Sequence, residues 1–316
     1  MKLAFILDPL EEIKTYKDSS FAMMEEAARR GHELFVLHQE HLLCRDGAVR
    51  AVATPIRLTG EKKLWYERSE TSEGPLSAYD AVLMRKDPPF DMEYVYSTYL
   101  LELAESQGAL VVNRARALRD NNEKFSITRF PQFTVPTLIT RLELEIRGFL
   151  ELHGDIVLKP LDGMGGASVF RLHRADHNIG VVIETLTHYG RRTVMAQRYI
   201  EEIRKGDKRV LLIDGVPAPY ALARIPKPGE TRGNLAAGAR GVAQPLSARD
   251  REIGETIGAA LAPEGLLLIG LDVIGDYLTE INVTSPTGMR EIMEQSGCNV
   301  AALMIDALER RVSARG

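Results

Sequence analysis

Across the first 120 residues, short apolar runs alternate with stretches of helical periodicity, and this alternation restricts the fold more than any other feature of the chain. A strand–helix–strand rhythm buries its apolar residues as a parallel sheet covered by helices. Lys2–Leu7 reads as the first strand. Asp18 or Ser19 caps a helix that turns Phe21, Met24 and Ala28 to one face, and Gly31 stands where a left-handed residue would close it. Leu34–Leu37, Ala81–Met84 and Ala109–Asn113 read as the next three strands, and Glu93–Gln107 as a helix ended by Gly108. The stretch 41–65, short β-like pieces around the turn Arg45-Asp46-Gly47, interrupts the alternation and is expected to lie outside the sheet. The polar run from Arg114 to Lys124 marks a boundary near residue 120. Beyond it, strands and helices mix with Gly-rich loops, as in an α+β arrangement of one small and one larger lobe.

With 316 residues the chain has room for two or three domains, and 45% hydrophobic with 27% charged residues is ordinary for a globular protein. A net charge of −4 supplies no positive field for a polyphosphate backbone, so nucleic acid is not an expected partner. Cys44 and Cys298 stand far apart with no metal-ligand spacing, which fits a reducing cytoplasm. The apolar run Leu3–Leu7 is too short for a secretory leader, and Leu266–Gly275 is about half of a membrane span, so no membrane is expected. His153, His173 and His188 read as surface residues, and Met23-Met24 as core.

Two segments carry chemistry. In Ile156–Ser168 a lysine, Lys159, ends an apolar strand and a glycine-rich loop follows, with Gly163, Gly165 and Gly166. Such a loop closes backbone N–H groups on phosphate oxygens while the ammonium adds charge, although an ordinary turn beside an exposed lysine has the same sequence. It is not a P-loop, whose lysine follows the glycines, and Ser168 stands where a dinucleotide fingerprint has its third glycine. In Gly270–Pro286, apolar runs flank Gly275-Asp276-Tyr277 and read as a hairpin. With a three-residue loop, Ile274 faces Leu278 and Asp272 faces Glu280, with Asn282 on the same side. A two-residue turn without a bulge puts Asp272 on the opposite face. Two carboxylates side by side on apolar strands call for a cation between them, and oxygen ligands select a hard ion such as magnesium.

These residues resemble the ATP-grasp superfamily and, within it, the prokaryotic glutathione synthetase family. The resemblance rests on Asp18-Ser-Ser-Phe21, the segments Met84–Asp91, Leu158–Ser168, Gly206–Val210, Ala223–Pro226 and Gly229–Gly238, and Leu278–Thr287, in this order along the chain. It implies a Rossmann-like α/β domain with a parallel sheet over residues 1–120, preceding an α+β ATP-grasp domain of two lobes. Residues 121–200 would form the small lobe with the glycine-rich loop. Residues 201–316 would form the large lobe with the metal site and a lid over 225–241, a segment that on its own reads equally as a linker.

The activity implied is the ATP-dependent joining of γ-glutamylcysteine to glycine through an acyl phosphate. Two magnesium ions would assist, with manganese able to substitute, in a cytoplasmic homotetramer. By the same resemblance, Lys124 and Lys159 contact the nucleotide phosphates, Gln197 and Tyr199 receive the adenine, and Asp207 lies near the ribose. Asp272, Glu280 and Asn282 match the metal ligands. Arg209 and Arg224 stand beside the reacting carboxylate, Arg232 and Asn234 near the lid tip, and Asp18, Arg85, Lys86, Ser285 and Thr287 about the substrates. The ATP and metal segments are shared with other carboxylate–amine ligases, which leaves those open as alternatives. A nucleotide-binding regulatory module is the alternative without catalysis.

Overall fold

The computed structural model describes all residues except Lys62, 228–237 and Gly316. The first sheet, in the described residues, is built on β1 (Lys2–Ile6), whose Leu3, Ala4, Phe5 and Ile6 are wholly buried, as a strand covered on both faces requires. It contains β2 (Glu33–Leu37), β3 (Leu42–Arg45), β4 (Ala48–Leu58), β5 (Tyr66–Arg68), β6 (Ser72–Pro75), β7 (Ala81–Met84) and β8 (Val111–Val112). The main order is β3-β4-β2-β1-β7-β8, with β1 parallel to both β2 and β7 and β7 parallel to β8. The helices are α1 (Ser19–Arg29), α2 (Met92–Ser106) and the short α3 (Ala115–Asp120). Asp18 caps α1 by accepting a 2.7 Å bond from the Phe21 amide.

The segment 41–65 does not lie outside the sheet. β4 pairs antiparallel with β2, Leu34 opposite Ile56, and β3, β5 and β6 pair with β4 in turn. The lost strand–helix rhythm marks a change from parallel to antiparallel pairing. Val49, Ala51 and Ala53 are buried at alternate positions, the pattern of a strand with one covered face. At the other edge β8 is only two residues long, because Asn113 turns away to bond elsewhere.

The second sheet holds β9 (Thr137–Thr140), β10 (Asp155–Pro160), β11 (Phe170–His173) and β12 (Val194–Arg198), antiparallel in the order β11-β10-β12-β9. Helices α4 (Glu143–His153) and α5 (Ile179–Thr187) cover one face, packing Ile146, Leu150 and Ile183 on Ile156 and Leu158. The third sheet comprises β13 (Asp207–Ile213), β14 (Val216–Pro217), β15 (Tyr220–Ile225), β16 (Arg240–Pro245), β17 (Leu268–Ile274) and β18 (Tyr277–Asn282), with main order β16-β15-β13-β17-β18. With it go α6 (Ala248–Leu261), α7 (Met289–Ser296) and α8 (Val300–Ser313). α8 returns to α1, where Arg30 bonds Asp306 at 2.6 Å and Glu309 at 3.0 Å.

Asn113 is the knot between the first and third sheets. Its amide nitrogen donates to the Leu268 and Val283 carbonyls at 2.7 and 2.8 Å, and its oxygen accepts from the Leu267 and Leu268 amides at 2.7 and 2.9 Å. Asn113→Ala strips partners from buried backbone groups, each costing about 1–3 kcal/mol, and is expected to lower stability by at least ~3 kcal/mol in urea unfolding. A variant within ~1 kcal/mol of wild type rules out this role.

Candidate active site

The β17–β18 hairpin turns in two residues, Gly275-Asp276, with Ile274 opposite Tyr277, rather than in three. A register shift at Asp272/Val273 sets Thr279 out as a bulge and restores the pairing of Asp272 with Glu280 and of Gly270 with Asn282. The Thr279 hydroxyl bonds back to the Asp272 carbonyl at 3.1 Å. The expected pairing of Asp272 with Glu280 therefore holds, through a bulge instead of a longer loop, whereas Ile274 faces Tyr277 and Leu278 faces Val273.

On the face that carries Asp272, β13 and β15 supply two arginines and a second aspartate. Arg209 lies opposite Asp272 on the neighbouring strand, and Arg224 opposite Asp207. Arg209 donates to both Asp272 oxygens, at 2.6 and 3.2 Å, and Arg224 reaches the same carboxylate at 2.8 Å. Arg224 also forks onto Asp207 at 2.8 and 2.5 Å. Asp272 is only 4% exposed. Burial alone would raise its pKa, but the two guanidinium groups outweigh burial and hold the carboxyl well below its usual range. Asp272 is thus compensated by Arg209 and Arg224 within the chain itself.

Glu280 has its own partner. Lys124 meets it at 2.8 Å and donates to the Gly163 carbonyl at 2.9 Å. Burial works against the Lys124 charge, yet Glu280 more than offsets this and the ammonium pKa ends raised. Lys159, 7% exposed, donates to the Thr279 carbonyl at 3.2 Å. Burial outweighs the pull of Glu280 and Asp272, and Lys124 adds to it, lowering the Lys159 pKa to about 8.

A cavity of about 160 Å³ lies between the second and third sheets. Lys124, Lys159, Asp207, Asp272 and Glu280 line its charged end, and Val157, Val169, Ile200, Ile203 and Ile274 its apolar walls. Gly163, Gly165 and Gly166 close it with backbone at φ 94°, 69° and 75°, conformations that favour glycine. Gln197 bonds the Thr137 hydroxyl at 3.1 Å. The Tyr199 ring carries the Arg171 guanidinium at 3.7 Å, and its buried hydroxyl has no partner among the described residues.

A larger cleft of about 470 Å³ adjoins the charged end, and Met164, Gly165, Asp272 and Glu280 line both spaces. Its walls include Asp18, Arg85, Arg209, Arg224, Asn282, Ser285 and Thr287. Arg85 donates to the Ser20 hydroxyl and Pro286 carbonyl at 3.0 Å and more weakly to the Thr284 carbonyl. Ser285 bonds Asp87, and the Thr287 carbonyl accepts from Arg209. Lys86 pairs with Asp8 at 2.7 Å and is not part of the wall. Arg232 and Asn234, with most of the 225–241 segment, lie outside the described residues.

Sequence reasoning missed Glu123. Its Oε1 accepts from the Val283 and Thr284 amides at 2.9 and 3.0 Å and from the Thr284 hydroxyl at 2.8 Å, which fixes the chain leaving β18. No motif announces it, since every partner lies some 160 residues away.

The donor set suits a hard divalent ion. The arginines occupy three of the roughly four lone-pair directions of Asp272, Lys124 occupies one oxygen of Glu280, and no donor reaches the Asn282 amide oxygen among the described residues. Removing one cation of this network leaves an uncompensated buried anion. Arg224→Met is therefore expected to lose about 3–5 kcal/mol in denaturant unfolding, and a loss below ~1 kcal/mol contradicts the network.

Residues 1–119 match the family model described as the N-terminal domain of prokaryotic glutathione synthetase, and residues 123–297 match that of its ATP-grasp domain. A protein named glutathione synthetase from Nitrosomonas europaea is 65% identical over 99% of both chains. One from Ralstonia nicotianae is 57% identical over 98% of this chain and 96% of its own. Among solved structures, a D-cycloserine synthetase superposes with a TM-score of 0.70 at 16% identity, covering 99% of this chain and 100% of its own. An ATP-grasp ligase complexed with its minimal precursor, Mg and ADP gives 0.61 at 19% identity, covering 98% of each chain. These distant likenesses bear on the fold alone, which is that of ATP-grasp proteins. The matches over nearly the whole chain leave one conclusion: it belongs to the prokaryotic glutathione synthetase family.

Proposed function

We propose that this chain ligates γ-glutamylcysteine to glycine at the expense of ATP. The observation that carries the reading is the shared boundary of the two spaces. The lysine and glycine-loop cavity, suited to a nucleotide, opens at Asp272 and Glu280 onto a cleft walled by arginines, suited to a carboxylate. A carboxylate is a poor electrophile until one oxygen becomes a leaving group. The cysteinyl carboxylate attacks the γ-phosphorus of ATP and releases ADP. The glycine amine then attacks the resulting acyl phosphate, expelling phosphate and giving glutathione.

Lys124 and Lys159 hold the phosphates and offset charge on the transferred group, while Arg209 and Arg224 orient the acceptor carboxylate. Asp272, Glu280 and Asn282 would hold magnesium, which when bound withdraws charge from phosphoryl oxygens. Asp207, Gln197 and Tyr199 line the nucleotide side, and Asp18, Ser285 and Thr287 the peptide side. The closing part assigned to 225–241, with Arg232 and Asn234, belongs to the same reading and would exclude water from the acyl phosphate.

A cytoplasmic homotetramer is part of the proposal as well. Met92, Tyr96, Tyr99 and Leu103 are exposed on one face of α2, which supports an association surface. Sedimentation of the wild type as a single subunit ends that part.

Phosphate release is expected only when γ-glutamylcysteine and glycine are both present with ATP. Release that proceeds unchanged without either one contradicts the ligase reading. Glu280→Gln is expected to cut turnover by about 10²–10³-fold.

The Lys159 ammonium also sets a pH dependence. Its folded pKa lies below the ordinary 10.5, so the charged form costs stability below about 8, and that cost disappears as pH rises toward 10.5. Phosphate binding has the opposite preference, for the charged form. ATP affinity, followed by calorimetry, is expected to fall as pH rises through about 8, whereas in Lys159→Arg this fall is absent.

A further inference from the structure

The peptide cleft extends from the phosphoryl end to a region where Lys14, Lys17 and Glu291 form part of the wall. Glu291 stands in the first turn of α7, and one of its carboxylate oxygens is buried with no hydrogen-bond partner among the described residues. Burial lifts its carboxyl above the usual range and Glu294 adds to this, while a hydrogen bond from its own backbone N–H, Lys17 and Arg290 oppose it. Neither cation is bonded to it. Arg290 is turned to Glu25 and the Phe21 ring, and Lys17 has no ion pair within 4.0 Å among the described residues. A carboxylate and an ammonium thus share one end of a cleft without neutralising each other. Leaving a buried anion short of partners is costly unless a ligand supplies the missing donor.

We propose that this end reads an α-amino-acid head group, Glu291 accepting from an α-ammonium and Lys17 attracting the α-carboxylate. Resting on the ligase reading above, the proposal assigns the pair to the γ-glutamyl end of the dipeptide. That substrate presents one carboxylate to be activated and, at its other end, a free zwitterion. Glycine is a zwitterion too, but its amine has to reach the activated carbonyl beside Arg209, Arg224 and Asp272. The charges acting most on Glu291 come instead from Lys17, Arg290 and Glu294. Lys17 and Glu291 line the peptide cleft alone, whereas Asp272 and Glu280 also line the nucleotide cavity.

The test compares γ-glutamylcysteine with N-glutarylcysteine, which lacks the α-ammonium, and with N-(4-aminobutanoyl)cysteine, which lacks the α-carboxylate. Each is assayed with ATP and glycine for wild type, Glu291→Gln and Lys17→Met. Wild type is expected to prefer γ-glutamylcysteine over either analogue by roughly 10- to 100-fold in kcat/KM. Glu291→Gln is expected to raise the KM for γ-glutamylcysteine by a similar factor, to leave the KM for ATP and glycine unchanged, and to lose its discrimination against N-glutarylcysteine alone. Lys17→Met is expected to lose discrimination against N-(4-aminobutanoyl)cysteine alone. Retained activity on the analogue that lacks the deleted contact shows that each variant is folded. If Glu291→Gln still discriminates as wild type does, or if its KM for glycine rises instead, the assignment is overturned while the ligase reading stands. A wild type inactive on γ-glutamylcysteine overturns the ligase reading itself.

Discussion

The guanidinium–carboxylate network of Arg209, Arg224, Asp207 and Asp272 is the constraint on which the site depends. Four charged side chains from three adjacent strands are taken almost wholly out of water. Such a network seldom adds net stability, because desolvation cancels most of the Coulombic gain. What it contributes is position: a carboxylate that stays ionised on an apolar strand, held by two guanidinium groups. Gly270 makes the geometry possible. A Cβ there would lie 2.6 Å from the Pro286 ring and 3.0 Å from Arg209 Cδ, so the bare backbone leaves the path that Arg209 takes to Asp272.

Much of this was legible in the sequence because it is local. The capped helix after β1, the strand at Ala81–Met84 and the face shared by Asp272, Glu280 and Asn282 follow from periodicity and a turn. The reasoning was incomplete where two local solutions give the same pairing. A three-residue loop and a two-residue turn with a bulge at Thr279 both set Asp272 against Glu280, and only the bulge brings the Thr279 hydroxyl back to the strand. Over 41–65 the difference is of another kind. Broken alternation does not mean departure from the sheet, because an antiparallel neighbour satisfies β2 equally well.

The residues that sequence could not supply act across long separations through the backbone. Asn113 and Glu123 bond main-chain groups at 267–284, and Arg85 bonds carbonyls at 284 and 286. A main-chain partner leaves no complementary residue type to look for, so neither Asn113 nor Glu123 belongs to a motif, and the motif segment Met84–Asp91 does not announce these bonds of Arg85. Together they fix the hairpin and its exit to the first sheet, which makes the domain beneath the site part of its geometry. Arg85 shows the reverse hazard. An arginine at the end of a parallel strand suggests a ligand site, yet its donors here hold the loop that carries Ser285 and Thr287.

The two lysines at the phosphoryl end are not equivalent. An ammonium has three donors. Lys124 gives one to Glu280 and one to the Gly163 carbonyl, and keeps one. Lys159 gives one to the Thr279 carbonyl and keeps two, with no carboxylate in contact among the described residues and a depressed pKa. Lys124 therefore carries a charge already balanced within the protein and joins the glycine loop to β18. Lys159 carries a charge that the folded chain leaves poorly compensated. On the proposed ligase reading an incoming phosphate relieves that deficit, so binding energy arises where the free protein leaves a charge uncompensated. On the same reading, the anion that most improves the site is the one that brings negative charge between β10 and the bulge at Thr279, into the cavity that both lysines line.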